Sequence, residues 1–207
     1  VQGSAFLSCT DIKKLIVPAN IKYIQSGAFE NCVNMNKLVL AEGEDRLDAE
    51  SDAFKNCGIE KVTIGRNLKV SIFVRNAILA KVLFGSNIKN IPDDAFYGCS
   101  NLSSVDLSNV ESIGNGAFAS TKLENVEIPA QLSYLGTSVF SDCTSLTRVS
   151  IKANITSIPN GCFQGCSSLS SVEYPASVTV IGESAFSGCG FTSFKLNGNV
   201  TEIQREA

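Results

Sequence analysis

The sequence predicts a solenoid of about nine short coils that is built mainly of β-strands and turns. Three patterns predict it: a phenylalanine recurs every 19 to 25 residues, a small residue follows three positions later, and a pair of apolar residues at i, i+2 comes next. A fixed period of this length is typical of stacked repeats. Because a coil of about 22 residues cannot bury its own apolar side, stacked coils must share one continuous core.

Each coil begins with the repeated phenylalanine, and the coils are numbered 1 to 9 accordingly. The phenylalanines of this column are Phe6, Phe29, Phe54, Phe73, Phe96, Phe118, Phe140, Phe163 and Phe186. Three positions later stands a cysteine in seven coils, Asn76 in coil 4 and Thr121 in coil 6. This spacing predicts an inward-facing column of aromatic rings beside an inward-facing column of small side chains.

The apolar pairs at i, i+2 predict one strand per coil, since successive strand residues face opposite sides. These pairs are Leu15/Val17, Leu38/Leu40, Val62/Ile64, Val82/Phe84, Val105/Leu107, Val126/Ile128, Val149/Ile151, Val172/Tyr174 and Phe194/Leu196. A second pair, at a spacing of three, predicts an extended or turn segment on the opposite wall. Its members are Ile21/Ile24, Ile88/Ile91, Val110/Ile113, Leu132/Leu135, Ile155/Ile158, Val178/Ile181 and Val200/Ile203. Turn segments such as VPAN separate the two, because proline ends a strand by removing a backbone donor.

The eight cysteines are interpreted as free thiols. Seven of them fill one repeat position, and parallel side chains in stacked coils keep the Cβ atoms farther apart than the ~3.8 Å that a disulfide prefers. Zinc sites require ligands in close pairs, usually with histidine available, and the chain has no histidine. Cys162 stands where alanine occurs in other coils and is interpreted as a small buried residue.

One region departs from the period. The segment AEGEDRLDAESDAF lengthens coil 2 to 25 residues, and the phenylalanine after Phe54 follows after only 19, with the shortfall in residues 65–71. We expect these two changes to break the curvature locally, on the wall away from the main sheet. The acidic residues of the segment lack the ordered spacing and the glycine of a calcium loop, which favours a solvated loop over a metal site.

Units such as CSSLSSVEYPASVTVIGESAF and CTSLTRVSIKANITSIPNGCF resemble the leucine-rich repeats of the BspA type, also called Treponema-type repeats. The resemblance runs from Val1 to about Ile203 and implies a right-handed, curved solenoid with a parallel β-sheet on its concave face, formed by one leucine-rich repeat domain over residues 1–207. It also implies a cell-surface or secreted protein that attaches to host or neighbouring cells. Since no capping segment is visible, we expect this domain to be a piece of a longer protein, with end-to-end self-association as another way to cover the ends.

Composition argues against several classes of function. A net charge of −3 gives no basic field for nucleic acid, and no apolar run approaches the roughly 18 residues needed to span a bilayer. The absence of histidine removes the commonest general acid/base and the commonest metal ligand. We therefore expect no nucleic-acid partner, no membrane insertion in this segment, and neither a cofactor nor a metal.

Residues that flank the inward pairs alternate onto the exposed face of the sheet. The column before each pair contains four consecutive lysines, and the column within the pair is mostly apolar over the same coils. Like charges on neighbouring strands repel, so a purely structural face would tend to avoid this arrangement. The leading hypothesis is a non-catalytic interaction module that binds acidic groups of a protein or an anionic glycan. Its site residues are Lys14, Lys37, Lys61, Lys81, Ile16, Val39 and Leu83.

Three other interpretations stay open. Lysines also protect a flat sheet from aggregation, so the column is also explained by a solvated face without a ligand. The chain could be a structural spacer that holds another domain away from the cell. It could also be a glycan-cleaving enzyme, since Asp106 and Glu127 are expected on neighbouring strands, where one carboxylate raises the pKa of the other. An open solenoid face lacks a cleft, which weighs against the enzyme. Asn101, Asn154 and Asn199 lie in N-glycosylation sequons.

Overall fold

The structure, a computed structural model, describes residues 1–69 and 71–207 and is a parallel β-solenoid of about eight turns. Nine repeated phenylalanines delimit eight intervals, so the turn number lies slightly below the nine coils predicted. No helix occurs among the described residues. The predicted architecture, a solenoid of parallel strands and turns, is confirmed.

The main wall consists of strands that lie side by side in parallel, one from each of seven coils. Its first sheet has the order β1-β3-β5-β6, and its second sheet has the order β9-β11-β13. The strands are β1 (Lys14–Val17), β3 (Lys37–Leu40), β5 (Lys61–Ile64), β6 (Lys81–Phe84), β9 (Asn125–Ile128), β11 (Arg148–Ile151) and β13 (Ser171–Glu173). Equivalent residues of each repeat pair with one another, which confirms the register that the apolar pairs predicted.

Two of the nine predicted strands are absent from the described part of the chain, at Val105/Leu107 and at Phe194/Leu196. In coil 5, Oδ1 of Asp106 accepts a hydrogen bond from the backbone N–H of Ser108 at 2.9 Å. This short turn competes with strand pairing, as aspartate side chains often do, and it separates the two main sheets. In coil 9, the ring of Phe194 instead packs in an aromatic cluster with Phe186 and Phe191.

The opposite wall consists of two-residue strands, and all seven predicted pairs contribute one, so the predicted extended segment is confirmed. Three small sheets have the orders β2-β4, β10-β8-β7 and β12-β14-β15. The strands are β2 (Tyr23–Ile24), β4 (Asp48–Ala49), β7 (Asn90–Ile91), β8 (Ser112–Ile113), β10 (Tyr134–Leu135), β12 (Ser157–Ile158), β14 (Val180–Ile181) and β15 (Glu202–Ile203).

The acidic segment of coil 2 is less solvated than the sequence indicated. It contains strand β4, and Leu47 and Ala49 are fully buried. Leu47 also forms a parallel bridge with Leu68 of the shortened coil 3, so the long segment and the short segment pair with each other. The prediction of a solvated loop is therefore wrong for Leu47 and Ala49, whereas the acidic side chains Glu42, Glu44, Asp45 and Glu50 are exposed as predicted. Val70, which belongs to the predicted shortfall, lies outside the described residues.

The core is organised by the repeated phenylalanines, whose rings stack face to face between coils. Their centroids lie 5.0 to 5.9 Å apart in two runs, one from Phe6 to Phe54 and the other from Phe73 to Phe186. Such aromatic pairs contribute about 0.5–1.5 kcal/mol each beyond the burial of their area. The inward-facing aromatic column is confirmed, with an interruption between coils 3 and 4.

The cysteine column has a specific structural role. In six coils the thiol donates a hydrogen bond, 3.0 to 3.2 Å long, to the backbone carbonyl of the phenylalanine in the preceding coil. The small thiol thus fills the space beside the ring and satisfies a buried acceptor. All eight cysteines are free, as the sequence indicated. Burial raises the pKa of Cys57 and of Cys99 to about 12, which keeps these thiols protonated at neutral pH.

Candidate functional site

The four predicted lysines form one row across the first main sheet. Strand pairing places Lys14 opposite Lys37, Lys37 opposite Lys61, and Lys61 opposite Lys81. With parallel strands about 4.8 Å apart, the row spans roughly 14 Å at the level of the backbone. We call it the lysine row. Lys14 and Lys81 are exposed, and the two inner lysines are half-buried between them.

An apolar row runs beside the lysine row, two residues farther along the same strands. The register places Ile16 opposite Val39, and Leu83 opposite Thr63, which interrupts the row on β5. The side chains of Ile16 and Leu83 are 53% and 39% exposed, and Val39 is half-buried. The structure therefore brings all seven predicted site residues onto one continuous face.

Eight of the twelve lysines, including the four of the lysine row, form no ion pair among the described residues. Four other lysines, Lys22, Lys55, Lys69 and Lys89, lie 2.6 to 3.4 Å from a carboxylate oxygen. Among the described residues, no carboxylate oxygen lies within 4.0 Å of a lysine of the row. Four positive charges thus face solvent together without a counter-charge from the described chain.

The second main sheet presents a different surface. Nη2 of Arg148 on β11 lies 2.6 Å from Oε1 of Glu173 on β13, and the hydroxyl of Ser150 donates to the same carboxylate. These residues, with Glu127 and Lys152, line a shallow depression of about 370 Å³. The arginine and the glutamate neutralise each other, whereas Glu127 and Lys152 form no ion pair among the described residues, so this half of the face carries mixed charge.

The predicted carboxylate pair does not have the expected electrostatics. Glu127 lies on β9, but Asp106 lies outside any strand, in the short turn that it closes with Ser108. The hydrogen bonds from Ser108 hold the pKa of Asp106 below its usual range, whereas the hypothesis required a neighbouring carboxylate to raise a pKa. The expectation of a mutually perturbed pair on adjacent strands is therefore wrong for Asp106, because a backbone donor takes up its charge locally.

Sequence reasoning missed one residue, Arg66, whose side chain is fully buried at the end of β5. Its guanidinium donates to the carbonyls of Ala19 at 2.7 Å and Pro18 at 3.2 Å, and so links coil 3 to coil 1 across the coil between them. Burial lowers its pKa, and the carboxylate of Asp45 opposes that shift. The only signal in the sequence is an arginine directly after a strand in the shortened coil, which by itself indicates an exposed side chain.

Arg66 holds the irregular region together. Buried arginines require hydrogen-bond partners, and the two backbone carbonyls provide them for the Nη atoms, while the buried Nε has no partner among the described residues. Gly65 allows the backbones of coils 2 and 3 to approach closely beside Arg66, since a Cβ atom at Gly65 would lie 2.6 Å from the backbone nitrogen of Glu42. This arrangement is structural and lies apart from the lysine row.

No group of three potential metal-ligating side chains comes together among residues 1–69 and 71–207. In the same part of the chain, no helix is long and apolar enough to cross a bilayer.

The last coil exposes apolar side chains, with Phe194, Leu196 and Ile203 beside Phe186 and Phe191. End-to-end self-association through this surface stays a prediction.

Comparisons with known proteins identify the repeat. The family model for the BspA type leucine rich repeat region matches residues 1–110, 50–147 and 89–207. A leucine-rich repeat protein from Bacteroides ovatus is 19% identical, with 98% of this chain and 77% of that chain aligned at a TM-score of 0.53. The leucine-rich repeat protein TpLRR of T. pallidum is 21% identical, with coverages of 86% and 77% and a TM-score of 0.58.

A leucine-rich repeat protein from Eubacterium ventriosum gives 17% identity, coverages of 94% and 82%, and a TM-score of 0.52. At these identities the likeness shows the fold. A comparison with curated proteins gives no significant match. Because the matches to the family model together cover residues 1–207, the chain belongs to the BspA-type leucine-rich repeat family.

Proposed function

We propose that this chain is a non-catalytic interaction module that binds acidic groups of a protein or an anionic glycan through the lysine row and the apolar row beside it. The proposal places the module at the cell surface or in a secreted protein, where it attaches the cell to a host or to a neighbouring cell. One observation carries it: four lysines in strand register without a counter-charge among the described residues.

The electrostatics support a ligand of opposite charge. Placing like charges on adjacent strands is unfavourable, and a bound carboxylate or sulfate would relieve the repulsion. The apolar row ends in two exposed aliphatic side chains, Ile16 and Leu83, which supply apolar contact once water is displaced. A ligand that runs across the strands would meet charge and apolar surface at regular intervals of about 4.8 Å.

The test compares two charge-reversed variants in binding to immobilised heparin and to a polyglutamate peptide. Lys37→Glu/Lys61→Glu reverses the two inner lysines of the row, and Lys152→Glu/Lys195→Glu makes the same change in net charge outside it. We expect the first variant to lose at least about tenfold in affinity and the second to stay within about threefold of the parent chain. Both exchanges affect exposed or half-buried side chains, so the melting temperature should change little.

Salt provides a second measurement. Binding of the parent chain should weaken as ionic strength rises from about 0.05 to 0.3 M, since exposed charge pairs are screened. Equal losses in the two variants would mean that net charge, not the lysine row, governs binding. Absence of binding by the parent chain to both probes would contradict the proposal and favour the spacer.

A further inference from the structure

A second surface, on the side of the repeated phenylalanines, has backbone hydrogen-bonding groups without partners among the described residues. In a regular step between coils, two backbone hydrogen bonds join the turns that follow each phenylalanine. The N–H of Phe118 donates to the carbonyl of Val139 at 2.9 Å, and the N–H of Ser120 donates to the carbonyl of Ser141 at 2.7 Å. The same two bonds occur from coil 1 to 2, from coil 2 to 3, and at every step from coil 5 to coil 9.

The step from coil 3 to coil 4 lacks both bonds. Their donors would be the N–H groups of Phe54 and Asn56, and their acceptors would be the carbonyls of Ile72 and Val74. Within the described residues, none of these four groups forms a backbone hydrogen bond to the neighbouring coil. The rings of Phe54 and Phe73 are also unstacked, although each stacks with the phenylalanine on its other side.

The cysteine column is interrupted at the same step. Asn76 replaces the cysteine of coil 4, and its Oδ1 accepts from the backbone N–H of Leu79 at 3.2 Å. Consequently no thiol reaches the carbonyl of Phe54, whereas Cys57 and Cys99 make the equivalent bonds to Phe29 and Phe73. The substitution in the sequence and the opening in the structure thus coincide.

The opening forms a groove of about 360 Å³, which we call the coil 3/4 groove. Phe54 and Asn56 lie along one edge, and Val74 and Ile78 lie along the other. Val74 and Ile78 are 44% and 45% exposed, so the second edge is apolar.

Arg75 adds a strained position to that edge. Its φ is 56°, in the left-handed region, at a turn position that other coils fill with serine, asparagine, aspartate or glycine. A long side chain is uncommon there. Its guanidinium lies over the ring of Tyr97, 5.6 Å from the centroid, and the residue also lines the groove. Asp52 and Lys55 also line the groove, but each has a partner outside it, since Asp52 accepts from the hydroxyl of Ser26 and Lys55 lies 3.2 Å from Glu30.

Donors on one edge and acceptors on the other determine the chemical class of the occupant. A peptide backbone carries one donor and one acceptor per residue, and an extended segment presents them alternately to its two sides. Such a segment would accept from Phe54 and Asn56 and donate to Ile72 and Val74, in the way each turn of this chain already pairs with its neighbours. Its side chains would cover Val74 and Ile78.

We propose that the coil 3/4 groove binds an extended peptide segment by inserting it between the two turns, with an aromatic residue flanked by small residues at its centre. The aromatic ring would enter the interrupted phenylalanine column between Phe54 and Phe73. This site is separate from the lysine row and independent of the function proposed for it.

The test uses a fluorescently labelled synthetic peptide with the sequence GNGAFASTK, a copy of residues 114–122. In the intact solenoid, Phe118 and Ser120 of this segment donate to the next coil, whereas Ala119 donates to Gly116 within its own turn. We expect saturable binding by fluorescence anisotropy. Methylating the backbone nitrogens at the positions of Phe118 and Ser120 should weaken it at least about tenfold, because two hydrogen bonds are lost. Methylation at the position of Ala119 is the matched control and should change the affinity by less than about threefold.

Protein variants locate the site. Val74→Glu places a charge on the apolar edge and should abolish binding, while Val33→Glu makes the same change at a side chain that is also exposed but lies outside the groove. Lys37→Glu/Lys61→Glu should bind the peptide like the parent chain, which separates this proposal from the lysine row. Lack of saturable binding, or equal binding of the two methylated peptides, would overturn the proposal. So would self-association that Val74→Glu abolishes and the peptide does not compete with, since the groove would then join two copies.

Discussion

Coils 5 to 9 and coils 1 to 4 share the same repeat but differ in the continuity of the phenylalanine column and in the charges on the main sheet. In the later coils the phenylalanine column is unbroken, and on the sheet Arg148 and Glu173 neutralise each other. In the earlier coils the column is interrupted between Phe54 and Phe73, and the sheet carries the lysine row. In the later coils every step keeps the two backbone hydrogen bonds after the phenylalanine, whereas in the earlier coils the step from coil 3 to coil 4 lacks both and the lysine row has no counter-charge among the described residues. Both candidate binding surfaces therefore lie in coils 1 to 4.

The largest expected difference concerns the phenylalanines. Phe140 is fully buried and stacks on both sides, 5.8 Å from Phe118 and 5.6 Å from Phe163. We expect Phe140→Ala to lower the free energy of unfolding by about 4 kcal/mol. Phe54 stacks on one side only, so Phe54→Ala should cost about 1 kcal/mol less. Urea unfolding followed by circular dichroism measures both, and equal costs would show that the interruption has no energetic consequence.

Much of this comparison could be predicted from the sequence. The period placed the phenylalanines, the cysteines and the strand register, because each depends on contacts that repeat once per coil. The lysine row followed from the same alternation. The features that the sequence did not predict depend on contacts that occur in one coil only and do not repeat along the solenoid. Arg66 reaches two coils back to Ala19, and Leu47 pairs with Leu68 because a long segment happens to face a short one.

The coil 3/4 groove shows the same limit. The sequence marks it twice, by Asn76 in the cysteine position and by the 19-residue spacing. Neither feature of the sequence predicts whether the turns of coils 3 and 4 form hydrogen bonds with each other or leave a groove between them. That outcome depends on where the backbone of residues 71–74 lies relative to Phe54, which is a property of the whole stack. Asp106 is comparable, since its local bond to Ser108 decides against a strand that the apolar pattern favours.

A smaller effect is expected from the thiols. Cys166 is fully buried and donates to the carbonyl of Phe140 at 3.0 Å. Cys166→Ala removes this donor and leaves a small void, which should cost about 1–2 kcal/mol. Cys9 belongs to the first coil and is half-buried, so Cys9→Ala should stay within about 0.5 kcal/mol of the parent chain. Chemical denaturation measures the free energy of unfolding of both variants. Equal losses of unfolding free energy in the two variants would contradict the hydrogen-bonding role of the thiol.

The smallest effect concerns Asp106, at the boundary between the two halves. Its pKa is lowered in the folded chain by the hydrogen bonds from Ser108, while the unfolded value is about 3.9. A lowered pKa means that the carboxylate stabilises the fold above the unfolded pKa, and that this contribution disappears as the pH falls through the folded pKa. Asp106→Asn keeps an oxygen acceptor but cannot titrate, so it should reduce the loss of stability between about pH 5 and pH 2. Melting temperatures across that range, with Asp11→Asn as the matched control, would refute the assignment if both variants followed the parent profile.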